Sequence, residues 1–132
     1  MTEVSRHNPD TLPDSARMGY TQVTTAPAGD LICMSGQVAW RRDGSPVPDS
    51  LGEQAQIAID NVRLGLEAVG AGPANVTAMR VYVVGLTAEN SAEAAGPLAG
   101  FFGGPAPCVT MIGVSSLAMP ELKIEIEVMG VK

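Results

Sequence analysis

From Leu51 to Val69 the apolar residues Leu51, Ala55, Ala58, Val62, Leu66 and Val69 return at steps of three and four. That spacing gathers them on one face of a helix about five turns long. Ser50-Leu51-Gly52-Glu53 supplies its start: the serine oxygen can accept from an early helix N–H, and Glu53 can reach back to the cap. Gly70 and Gly72-Pro73 supply its stop. A helix with one apolar face needs that face covered, so the rest of the chain has to provide a second layer.

The second layer reads as strands. Leu122, Ile124, Ile126 and Val128 point one way while Lys123, Glu125 and Glu127 point the other. In Val76 to Leu86, Val81 and Val83 oppose Arg80 and Tyr82. Val109 to Val114 reads as a strand interrupted at Gly113. Met18 to Thr25 and Leu31 to Ser35 predict a hairpin across the turn Ala26-Pro27-Ala28-Gly29-Asp30. Asn90 to Phe102 is a second helix, with Asn90 and Glu93 as its cap and a kink or early end at Gly96-Pro97. The expected order is β-β-α-β-α-β-β: an α+β domain with a mixed sheet and two helices on one face. Residues 1–15, with the turn chemistry of Asn8-Pro9-Asp10 and Leu12-Pro13-Asp14, read as a leader to a single domain over 16–132. Two helices cover one face of such a sheet. The other carries Glu125, Glu127, Arg80 and Tyr82, too polar for a core, beside Val and Met neighbours too apolar for water. A mixed face of that kind predicts subunit contact.

Composition narrows the function classes. The chain has 132 residues, the size of one domain, and is 45% hydrophobic and 17% charged, enough for a packed core. No apolar run approaches the roughly 18 residues of a membrane helix. The net charge is −6 and the isoelectric point about 4.6; the eight Lys and Arg are scattered apart from Arg41-Arg42. A nucleic-acid partner is disfavoured on that balance. Met1 to Arg6 lacks the basic start and apolar core of a signal peptide. Cys33 and Cys108, each inside an apolar run, read as reduced thiols, so a cytoplasmic location is expected. His7 is the one histidine, which leaves no serine–histidine triad and no His/Cys/carboxylate cluster for a metal. Gly100 to Gly104 lacks the lysine and hydroxyl of a phosphate loop. No metal and no cofactor are expected.

Several segments together point to a family. Met18-Gly19-Tyr20, Met34-Ser35-Gly36-Gln37-Val38, Ala58-Ile59-Asp60-Asn61-Val62 with Leu66-Glu67-Ala68-Val69-Gly70-Ala71, and Ile124-Glu125-Ile126-Glu127-Val128 follow one another across nearly the whole chain. Arg80 to Val84 and the pair Phe101-Phe102 fit the same pattern. In this order they resemble the Rid (YjgF) family of small reactive-intermediate deaminases. The resemblance implies a chorismate-mutase-like α+β fold, a homotrimer with its sheets facing a central barrel, and a small-molecule ligand in clefts between subunits. It also implies cofactor-free hydrolysis of enamines and imines to 2-oxo acids and ammonia. Under it Glu125 is the catalytic carboxylate, orienting water or shuttling its proton. Tyr20, Ser35, Gly36, Val109 and Phe102 are the substrate-binding candidates.

One departure bears on the substrate. Active deaminases of the family open the strand after the Phe pair with Pro-Ala-Arg, whose guanidinium grips the substrate carboxylate. Here the segment reads Pro105-Ala106-Pro107-Cys108-Val109-Thr110, and no Arg or Lys lies between Arg80 and Lys123. The resemblance sets the missing arginine at Val109. An asparagine that some members carry ahead of the Phe pair is also unmatched, near Ala95. Two functions therefore stand: a hydrolase or deaminase for a small imine, enamine or related carbonyl compound, and a non-catalytic trimer that binds a metabolite or partner. Away from the resemblance, Glu125 reads first as a solvated or inter-subunit ion-pairing carboxylate, and Arg80 as the partner of Glu127 or another acid across the sheet.

Overall fold

The computed structural model describes residues 3–132. It contains β1 (Ser5–His7), β2 (Val23–Thr25), β3 (Leu31–Gln37), α1 (Leu51–Ala68), β4 (Val76–Val84), α2 (Ser91–Phe102), β5 (Cys108–Val114) and β6 (Ile124–Val131). The main sheet has the order β3-β6-β4-β5. Strands β4 and β5 are parallel, joined by the α2 crossover, and β6 runs antiparallel to both of its neighbours. Both helices lie on one face. Ala55, Ile59, Val62 and Leu66 of α1 and Ala94 and Leu98 of α2 close over Val81, Val83, Ile124, Ile126 and Val128.

The expected hairpin between the first two strands does not form. Leu31–Gln37 pairs instead with β6, from Leu31 opposite Val131 to Gln37 opposite Ile126. The Val23–Thr25 run pairs with Ser5–His7. The reason lies in β6: a strand with one wholly apolar face is best buried at the centre, and there it needs β3 on one edge and β4 on the other. The turn at residues 26–30 therefore joins two separate sheets. Residues 3–15, read from the sequence as a leader, lie against the domain: Val4 and Ser15 are buried, and Arg6 Nε donates to the carbonyl of Ala106 at 3.2 Å.

Helix α1 starts as expected, with Ser50 Oγ accepting from the Glu53 N–H at 3.2 Å. A second N–H of its first turn is met by a residue of the other helix. Glu93 Oε1, from α2, accepts from the Gly52 N–H at 2.9 Å, so one helix closes the other's positive end. Asn90 does not cap α2; its Oδ1 accepts from the Thr87 N–H at 2.8 Å in the preceding turn. α2 runs through Pro97 and ends at Gly103 in the left-handed region, φ 60°. β5 likewise continues through Gly113.

Candidate functional site

Among the described residues no helix covers the other face of the sheet; only its Cys108 corner is overlaid, the thiol lying 3.6 Å from Gln22 O and Thr24 Oγ1. Register places its side chains in rows, because paired residues share a face. Glu125 lies beside Tyr82, and Tyr82 beside Ile112. Glu127 lies beside Arg80, and Arg80 beside Thr110. Met129 lies between Cys33 and Ala78, with Cys108 beyond. In the middle row Arg80 Nη1 is 3.7 Å from Glu127 Oε1, and the Tyr82 hydroxyl donates to the same oxygen. That hydrogen bond, followed by burial and the negative charge of Glu127, raises the Tyr82 phenol above its usual value.

Glu125 is held differently. Between Met34 and Gln37 the pairing of β3 with β6 slips by one residue, a bulge of the kind that re-aims groups near a site. The bulge turns Gly36 toward Glu125. A Cβ built on Gly36 would come within 2.5 Å of Glu125 Cδ and 2.7 Å of its Cγ. The glutamate side chain thus lies in the space a larger residue would fill. Ser35 sits in the same bulge, and its carbonyl accepts from Gln37 Nε2 at 3.0 Å. Glu125, Ser35 and Gly36 are therefore brought together by one irregularity in one edge strand.

The other candidates are placed elsewhere. Tyr20 is half-buried and follows the short turn Ala16–Met18. Its neighbour Thr21 is buried and latches the segment to the loop before β5, donating Oγ1 to Ala106 O at 2.6 Å and its N–H to Pro107 O at 3.0 Å. Tyr20 thus stands at the β5 edge of the sheet, whereas Glu125 lies over the β3 edge. Val109 and Phe102 both pack against the core beneath the helices, on the opposite side from Glu125. The β5 residues that share the Glu125 face are Cys108, Thr110 and Ile112, and alternation turns Val109 away from it. Phe102 stacks edge-on with Phe101, centroids 5.0 Å apart.

Sequence reasoning missed Gln54. Its amide is fully buried: Nε2 donates to Pro48 O at 2.8 Å and Glu121 O at 2.9 Å, and Oε1 accepts from the Lys123 N–H at 2.9 Å. It ties helix α1 to the segment that leads into β6, two residues before Glu125. The signal was present: a glutamine on the apolar stripe, beside Leu51, Ala55 and Ala58. A groove of about 660 Å³ runs between the helices, lined by Ile59, Asp60, Arg63, Gly96 and Phe101 among others, on the side away from Glu125. Among the described residues no helix is long and apolar enough to cross a membrane.

Two helices over one face of a mixed sheet, and a carboxylate set over a glycine bulge on the other, define a chorismate-mutase-like α+β protein. The chain belongs to the Rid (YjgF) family, matching the family described as endoribonuclease L-PSP over residues 12–132. It is similar to the Rid-family protein YyfB from Yersinia pestis, a protein of unknown function, at 33% identity and TM-score 0.92 over 98% of this chain and 99% of that one. The YjgF gene product of E. coli is 27% identical, with TM-score 0.70 over 80% of this chain and 84% of that one. The RutC family protein YjgH of Escherichia coli (strain K12) is 46% identical over 43 residues, 33% of this chain and 32% of that protein. The aligned stretch thus spans about a third of that curated relative.

Proposed function

We propose that the chain is a cofactor-free hydrolase of the deaminase type, acting on a small imine, enamine or related carbonyl compound in clefts between three copies of itself. The observation that carries this reading is the Glu125 side chain, laid across Gly36 on a sheet face that no helix covers. A carboxylate in that position orients a water toward an imine carbon, takes its proton and returns it to the nitrogen. The Ser35 hydroxyl and the backbone at Gly36 orient the ligand. Tyr20 of a neighbouring copy closes the edge, since within one copy it stands at the far side of the sheet. Cys108, Thr110 and Ile112 form the wall that Val109 does not reach; Phe102 supports the site only from beneath. The apolar residues on the face away from the helices, with Leu31 65% and Met129 39% exposed, support a trimer in which that face is covered. RNA cleavage, the activity in the family's description, is poorly supported by a chain of net charge −6.

One observation favours a binding protein instead: Arg80, the cation of the face, is already engaged by Glu127, leaving no ready grip for an anionic substrate. Ammonia release from imines generated in place, compared between wild type and Glu125→Gln, decides between the two. Turnover lost in Glu125→Gln supports the hydrolase. Saturable metabolite binding by a wild type that never accelerates hydrolysis overturns it in favour of the binding protein.

A further inference from the structure

Three cations on or beside the sheet are already engaged within one copy. Arg80 lies 3.7 Å from Glu127. Lys123, two residues before Glu125, turns its ammonium to the carbonyl of Asp49. Arg6, at the loop before β5, donates to the carbonyl of Ala106 at 3.2 Å. The paired strands thus present two carboxylates, Glu125 and Glu127, against one guanidinium, a balance of one negative charge. That charge rests on Glu125, whose side chain is set against the Gly36 backbone and appears in no ion pair with Arg80. The β5 residues beside it, Thr110 and Ile112, are uncharged. A ligand entering from this face meets a carboxylate that no cation of the paired strands offsets. It repels an acid and attracts a cation, and the effect grows as the cleft excludes water.

We infer that the site takes imines that bear no carboxylate and that it binds them as iminium cations, the class formed when an amine rather than an amino acid is oxidised. This rests on the hydrolase reading and names its substrate class. An iminium carries its positive charge on the nitrogen beside the carbon to be attacked, so the group that activates water also holds the substrate. The oxygen of water bonds to that carbon, the C=N π pair moves onto nitrogen, and one proton of the water passes to Glu125. The proton returns to the nitrogen, the C–N bond breaks with its electron pair leaving on nitrogen, and the hydroxyl proton departs with ammonia. The sum is R–CH=NH₂⁺ + H₂O → R–CHO + NH₄⁺. An amine-oxidising reaction supplies such a substrate, and an aldehyde-consuming one follows it.

The test compares two imines that differ only in the carboxylate, generated in place by oxidation of benzylamine and of 2-phenylglycine, with the full-length protein. The expected result is a kcat/KM at least tenfold higher for the benzylamine-derived imine. Glu125→Gln, of equal size, is expected to cut that rate a hundredfold or more. The wild-type ratio stands as a test even if the variant fails to fold. Equal rates, or a preference for the carboxylate-bearing imine, overturn the substrate class and leave the hydrolase reading in place. No acceleration of either imine over buffer defeats the hydrolase reading and this inference with it.

Discussion

Gly36 and Glu125 compete for one space, and the glycine yields it. Placing a methyl there forces the Glu125 side chain or the β3 bulge to move, because the nearest atoms lie under 3 Å from where it would stand. Gly36→Ala is expected to cost about 1 kcal/mol, from swinging the flexible Glu125 side chain out of its rotamer, read from urea unfolding. Adding Glu125→Ala to the same chain should recover most of that loss, since the clash then has no second party. Tyr82 offers a test by pH. Its phenol titrates above the usual 10.0, mainly because its hydroxyl donates to Glu127. The fold favours the neutral form, so its contribution to stability is present below pH 10 and is lost as pH rises through the higher folded value. An absorbance titration should show Tyr82 ionising late, and Glu127→Gln should bring it back toward the usual phenol value. At this scale alternation told which face Glu125 points to, and only the family resemblance made it a candidate. What it lies against was not legible, because the bulge that turns Gly36 toward it is a property of the pairing between two strands.

Helix α1 illustrates how an element can be read and its role still missed. The apolar stripe and the Ser50 cap are visible in the residues, and both are found. Gln54 interrupts that stripe. Its three hydrogen bonds hold the chain just before β6. Gln54→Met keeps the volume but orphans a buried N–H and two carbonyls, and should destabilise the protein by about 3 kcal/mol in denaturant titration. It should also lower turnover beyond what unfolding explains, because the strand start carries Glu125. The strands were less legible in their partners than in their existence. Alternation identifies which side of β3 is apolar but is silent on whether β2 or β6 lies next to it. The three-residue β1 has no periodicity to read at all; its place is set by bonds to distant residues such as Ala106.

Across the whole molecule, the fold class, the mixed sheet and the one-sided helices all followed from patterning, since layers must cover apolar faces. The candidate site was legible only in part: Glu125, Ser35 and Gly36 converge, whereas Tyr20, Val109 and Phe102 stand apart within one copy. Alternation along β5 separates Val109 from Glu125, and its phase is set by the pairing of β5 with β4. A trimer predicts a sedimenting mass about three times 13.6 kDa, by analytical ultracentrifugation. Leu31→Asp with Met129→Asp places two charges on the face away from the helices and should shift the population to single copies, with loss of any inter-subunit site. Finally, the order β3-β6-β4-β5 has a consequence for biosynthesis. Of the four strands of this sheet, the latest in chain order is the one that wedges between two made much earlier. Until it emerges from the ribosome, β3 and β4 have no shared neighbour and the helices have half a floor. The sheet of a nascent chain therefore cannot close until Ile124–Val131 is made, and a variant that lacks this strand would be fit for chaperones and proteases.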